Sequence, residues 1–333
     1  MAAVETVTGP IDAGELGTTL IHEHLLARDE GLHAQWPHLP TGGLDPEPVE
    51  VPPDGVLDIA VGCARGVLER GARTICDPSC MFLGRDIGFM RRVADETGLQ
   101  VVPCTGIYTY DHLPTGLLTR DADAIADLFV HDIETGIQGT DIKAAFIKCA
   151  ADEPGVNENV EKIHRAAARA HVRTGAPIMA HSRPASNTAP RQVEIFEEEG
   201  VDLERVQIAH TGDSDDLDYI ERLLETGVFI GMDRFGLEIF LPYEQRIATA
   251  LALLERGYAE RMFLSADYCA TLDWYPLEVE KAMVAGGAAK DWSMNIVHDK
   301  VLPSLREGGV TDEQIETMLV ANPPRWLTAV DRV

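Results

Sequence analysis

The sequence predicts a (β/α)8 barrel of the α/β class, and three observations carry that prediction. Eight short apolar or β-branched runs alternate with longer stretches of helical periodicity. The 333 residues exceed the ~250 that such a barrel needs by an amount that recognisable inserts absorb. No stretch of disordered composition divides the chain and no short repeat is visible, so one domain over residues 1–333 is expected.

The strand-like runs are residues 19–25, 74–77, 101–108, 145–150, 177–181, 206–210, 228–233 and 262–267. Amphipathic helices are predicted between them, among them 121–135, 160–174 and 215–225. The last opens on Thr211-Gly212-Asp213-Ser214-Asp215-Asp216, an N-cap region with acids in its first turn, and closes on Thr226-Gly227. The surplus falls in three places: residues 41–55, rich in Pro, Gly and acid and expected as a surface loop; 269–290, after the eighth strand; and a helical tail from Asp291.

Charge narrows the partners. Against 28 Lys+Arg stand 55 Asp+Glu, a formal net charge of −27 with no long block of one sign. Nucleic acid and anionic membrane surfaces both require clustered cations and are excluded, but charge alone names no substrate. The amino terminus lacks a cationic region followed by an apolar stretch, and no run reaches the ~18 apolar residues of a membrane span. The cysteines, Cys63, Cys76, Cys80, Cys104, Cys149 and Cys269, are scattered without a C-x-x-C pair and read as small buried hydrophobes. A cytoplasmic protein is expected.

Chemistry concentrates at the strand ends. In His22-Glu23-His24 the two imidazoles share a face of the first strand and Glu23 takes the other, a spacing that can grip one metal ion. His181, His210 and Asp267 each end another predicted strand, and barrel active sites collect at those carboxyl ends. Singly each is a capping or core polar residue; converging on one mouth, they point to divalent metal. Lys148 interrupts the apolar run Phe146-Ile147-Lys148-Cys149-Ala150. Either it forms a buried salt bridge with a site acid, or it is a neutral amine able to add carbon dioxide and ligate through the carbamate.

The set His22, His24, Lys148, His181, His210 and Asp267 resembles the binuclear metal signature of the amidohydrolase superfamily, and the chain resembles the phosphotriesterase-like lactonases of the phosphotriesterase family. The resemblance runs through Gly17-Thr18-Thr19-Leu20-Ile21-His22-Glu23-His24, Gln35-Trp36-Pro37-His38-Leu39, Gly84-Arg85-Asp86-Ile87, Thr105-Gly106-Ile107-Tyr108 and Ala151-Asp152-Glu153-Pro154-Gly155. It continues in Gly231-Met232-Asp233-Arg234-Phe235-Gly236, Asp267-Tyr268-Cys269 and Asn322-Pro323. It implies two divalent ions per chain, zinc foremost among zinc, cobalt, manganese and iron, with His22, His24 and Asp267 on one, His181 and His210 on the other, and an N-carboxylated Lys148 bridging them.

The resemblance further implies a homodimeric hydrolase in which a metal-bridging hydroxide attacks a lactone carbonyl. Asp267 serves as proton shuttle, Tyr108 orients the ring and carbonyl, and Arg234 stands near the substrate entrance. Cys269, Trp274 and Leu237 contact the substrate, with residues 236–241 forming an apolar groove for the tail of an N-acyl-homoserine lactone, as in quorum quenching. Phosphotriester hydrolysis is expected as a weak side activity. Phosphotriesterase as the main activity and a non-catalytic barrel that binds without reacting are the alternatives.

Overall fold

The computed structural model describes residues 2–44, 48–289 and 291–328. Eight parallel strands form its central sheet: β1 (Thr19–Leu20), β2 (Thr74–Asp77), β3 (Gln100–Gly106), β4 (Phe146–Ala150), β5 (Ile178–His181), β6 (Val206–Ala209), β7 (Phe229–Met232) and β8 (Met262–Leu264). They lie in sequential order, each paired with the next, with helices between them. This is the predicted (β/α)8 barrel. No helix among the described residues is long and apolar enough to cross a membrane.

Closure falls to the chain just beyond β1 and β8, where Glu23–His24 pairs in parallel with Tyr268–Cys269. Glu23 fastens the seam. Its buried carboxylate accepts hydrogen bonds from Ser265 Oγ (2.7 Å) and from the backbone N–H groups of Ala266 (2.7 Å) and Tyr268 (3.0 Å). Glu23 therefore faces away from the two histidines, as the alternation in its tripeptide predicts.

Alternate strand residues point inward. The lower barrel is filled by Cys76, Val102, Cys104, Phe146, Met179, Phe229 and Phe263, and is plugged by Trp326 from the last helix, whose ring lies 5.4 Å from Phe146 and 6.0 Å from Phe263. The outward residues, such as Ile75, Val101, Ile147, Ile178, Ile208 and Ile230, pack against the helices in a second, larger core. All six cysteines are buried, in keeping with their reading as small hydrophobes.

Several boundaries differ from the sequence prediction. The run 19–25 is split after Leu20, because His22 and its neighbours turn their backbone toward the eighth-strand segment. The third strand stops at Gly106 (φ +131°), short of Tyr108. The helix expected from 215 begins at Leu217, since the Asp216 carboxylate caps Tyr219 N–H. The supposed loop 41–55 contains an antiparallel hairpin, Thr41–Gly43 with Val49–Val51, to which Thr271–Leu272 adds a third strand. Residues 45–47 of that insert, Lys290 at the end of the 269–290 insert, and 329–333 of the tail lie outside the described residues. The 269–290 insert also carries a helix, Leu277–Ala285, and the tail is helical from residue 297 to Leu327 with short breaks.

Gly106 links this architecture to the site. A Cβ there would stand 1.9 Å from the carbonyl oxygen of Lys148, so only glycine lets β3 and β4 approach at this point. Gly106→Ala is expected to destabilise the fold by about 3 kcal/mol, through overpacking plus the left-handed backbone. Urea denaturation checks this, and a midpoint equal to that of the parent chain would contradict it.

Candidate metal centre

The inward alternation that fills the barrel floor continues upward into polar groups. Above Phe146 comes Lys148, above Met179 comes His181, and above Phe263 come Ser265 and then Asp267. His22, His24, Lys148, His181 and His210 are all buried, and Asp267 nearly so. Two of these residues sit in the left-handed region rare for side-chain-bearing residues, His210 at φ +64° and Asp267 at φ +52°. Strain of this kind persists where surroundings enforce it. His210 N–H donates to Asp233 Oδ1 (2.8 Å), and Asp267 N–H donates to the His22 carbonyl (3.0 Å).

The hydrogen-bond network assigns a proton to one nitrogen of each ring. Asp233 accepts from His22 Nδ1 (2.9 Å) and, through its other oxygen, from His210 Nδ1 (3.1 Å). Ser79 gives its own proton to the Leu26 carbonyl (3.1 Å), so its oxygen accepts from His24 Nδ1 (2.8 Å). Asp152 accepts from His181 Nε2 (2.7 Å). What remains is a set of unprotonated ring nitrogens, of which His22 Nε2 faces Lys148 Nζ (3.2 Å) and His181 Nδ1 faces the Tyr108 hydroxyl (3.1 Å). His22 Nε2 and His24 Nε2 each lie 3.1 Å from Asp267 Oδ1, and His181 Nδ1 lies 3.0 Å from His210 Nε2. Acceptors brought this close without a proton between them repel unless a cation lies among them. The donor set therefore fits metal in two places, one beside His22, His24 and Asp267 and one beside His181 and His210. The trio His22, His210 and Asp233 is equally compact, but Asp233 meets the protonated nitrogens and orients the rings rather than joining the lone pairs.

Electrostatics favour the same protonation states. Burial lowers the pKa of His24 and His210 and pushes that of His181 down to about 4, so these imidazoles are neutral near pH 7. Burial opposes the Asp267 carboxylate, yet its hydrogen-bonded neighbours, the Arg234 guanidinium among them, hold its pKa well below the usual range. Burial also lowers Lys148, although Asp267 and Asp233 pull the other way. Its Nζ donates to His22 Nε2 (3.2 Å), and among the described residues it forms no ion pair with a site acid. The salt-bridge reading of Lys148 is thereby set aside.

Arg234 lines the cavity over the centre, with its guanidinium 4.5 Å from the ring of Phe240. It is buried, with Nε donating to Asp267 Oδ2 (2.8 Å) and Nη1 to Asp213 Oδ2 (3.0 Å), while Arg246 holds the other Asp213 oxygen (2.8 Å). It thus braces Asp267 from behind. The remaining predicted contact residues, Tyr108, Cys269, Trp274 and Leu237, line one cavity of about 570 Å³ over the centre. Tyr108 Oη lies 3.1 Å from His181 Nδ1 and 2.5 Å from Tyr110 Oη, and its ring packs 5.7 Å from that of Trp274. A larger groove of about 860 Å³ beside helix Glu30–Gln35 holds no comparable lone-pair cluster; its Arg28 and Arg85 are paired with Asp86 and Asp132.

Asp233, Asp152, Ser79, Asp213 and Tyr110 were not singled out in the sequence. Asp233 and Asp152 could have been found, since each closely follows an apolar strand run, the same signal that marks His210 and Asp267. Ser79 and Tyr110 carry no such mark.

Comparisons with known proteins identify the family. A sequence model described as the Phosphotriesterase family matches residues 2–327. An aryldialkylphosphatase of Saccharolobus solfataricus is 42% identical over 96% of this chain and 97% of its own. A phosphotriesterase homology protein of Mycobacterium tuberculosis is 41% identical over 98% and 97%. A solved structure of the phosphotriesterase from Mycobacterium tuberculosis superposes with a TM-score of 0.88 at 38% identity, covering 98% of each chain. The chain belongs to the phosphotriesterase family.

Proposed function

We propose that this phosphotriesterase-family hydrolase is a metal-dependent lactonase whose substrates are lactones bearing an apolar tail, N-acyl-homoserine lactones among them. The observation that carries the proposal is the convergence of unprotonated nitrogens and Asp267 Oδ1 beneath a cavity with a mostly apolar wall. His22, His24 and Asp267 would hold one divalent ion and His181 and His210 the other, and Lys148, buried and with its pKa lowered by that burial, is the residue that would carry a carbamate ligand. Ions bound there supply Lewis acidity and lower the pKa of water toward neutrality.

The residues of the chain do the rest. When the His181 lone pair is engaged, the Tyr108 hydroxyl loses its acceptor at 3.1 Å and is free to donate to the substrate carbonyl, where negative charge develops. Asp267 takes a proton from the attacking water and passes it to the alkoxide that departs as the ring C–O bond breaks, which yields the hydroxy acid. Its low pKa makes it a transient carrier, and Arg234 keeps the carboxylate aimed throughout. An arginine cannot release the proton onward, so the alkoxide is its destination. Leu237, Phe240 and Trp274 offer the tail an apolar surface, the first of them buried and the other two part-exposed at the mouth.

Phosphotriester hydrolysis is the second reading, favoured by the printed activity of the 42% identical relative. A panel of lactones of graded tail length beside one dialkyl aryl phosphate, assayed on metal-replete protein, separates the two. The expected result is a kcat/KM larger for lactones by orders of magnitude; the reverse order would overturn the lactonase assignment. In the same assay Asp267→Asn is expected to lose about 10²- to 10⁴-fold in kcat. Lys148→Ala is expected to lose activity and regain part of it with added formate or acetate. Full activity in either variant without a supplement would remove the role assigned to that residue.

A further inference from the structure

One group in the cavity wall has no part in this chemistry. Helix Leu277–Ala285 lies against the hairpin strand Thr41–Gly43, and its single buried side chain is a carboxylate, Glu280, at 4% exposure, while Val279 beside it is 43% exposed. A helix that turns its acid inward and its valine outward reverses the usual arrangement. Neither Glu280 oxygen has a hydrogen-bond partner, against the strong tendency of buried polar atoms to be paired. Space is made for it by Gly42, where a Cβ would stand 2.2 Å from Glu280 Oε2.

No cation among the described residues compensates the group. The cavity arginines are engaged elsewhere, Arg183 by Asp152 and Arg234 by Asp213 and Asp267. The charge that acts on Glu280 is the like charge of Asp273, which is itself bound by the His33 ring and by Asp29 N–H. Burial, and then Asp273, push the Glu280 pKa up to about 7. Glu280 lines the same cavity as the metal centre, among Leu44, Leu272, Met283 and Val284.

We propose that Glu280 is a specificity-determining residue that pairs with a hydrogen-bond donor, a hydroxyl or amide N–H, carried on the substrate tail. A plain hydrocarbon tail in this cavity leaves the carboxyl unpaired, whereas a tail with a correctly placed donor satisfies it. Sites whose polar groups are stranded by the wrong ligand discriminate strongly against it. The proposal rests on the lactonase reading only in setting the reacting carbonyl at the metal centre; recognition of the tail requires no hydrolysis.

The test is calorimetric titration of metal-replete protein with methyl ketones of one chain length, either unsubstituted or carrying a hydroxyl at successive tail positions. One position is expected to bind about tenfold or more tightly than the plain ketone. That preference should vanish in Glu280→Leu and persist in part in Glu280→Gln, whose amide still offers hydrogen bonds. Should Glu280→Leu fail to fold, Glu280→Ala carries the comparison. Equal binding of all the ketones by the parent chain, or a preference that survives in Glu280→Leu or Glu280→Ala, would overturn the proposal. Ketones are not hydrolysed, so an absence of lactone turnover would count against the lactonase reading without touching this one.

Discussion

Asp233 is the constraint on which the centre depends. One buried carboxylate, placed just beyond β7, accepts the Nδ1 protons of His22 and His210 from opposite parts of the barrel mouth. It thereby fixes two tautomers and two ring orientations at once, and it also holds the strained backbone of His210 through its N–H. Ser79 and Asp152 do the same for His24 and His181. The outcome is a ring of lone pairs turned toward each other in a buried site, an arrangement that is costly alone and favourable around cations.

The barrel makes this convergence cheap to build. Each strand alternates inward and outward residues, so a polar group placed two positions above a floor residue such as Phe146, Met179 or Phe263 needs no special loop to reach the axis. Below, the aromatic floor and Trp326 exclude water from beneath the centre. Above, inserts supply the walls, and the segment after β8 does double duty. It closes the barrel against Glu23–His24, then continues into the strand, turn and helix that carry Trp274 and Glu280.

Much of this was legible in the sequence. The eight apolar runs read as strands because their inward and outward residues are both buried, and the His and Asp that end them, like the Lys148 inside one, were legible because such residues are out of place in an apolar run. The orienting residues were harder to read. Ser79 has nothing in its neighbours to distinguish it from a loop serine, and Asp233 stands beside Arg234, with which it invites confusion as a simple ion pair. The hairpin 41–51 was misread for a physical reason. Its glycines resemble a flexible loop in composition, whereas Gly42 and Gly43 are required by close approach, to Glu280 and to Val51, where a Cβ would stand 2.2 and 2.7 Å away. Arg234 reads as a site residue and lines the cavity, but no local pattern reveals that Asp213 and Asp267 hold its guanidinium.

The central claim is that the facing lone pairs exist to hold metal. Elemental analysis of protein purified after metal-replete expression and passed through a desalting column tests it most directly. The account predicts about two divalent ions per chain, as two separate lone-pair clusters imply. Protein that retains its fold while carrying no bound divalent metal would contradict it.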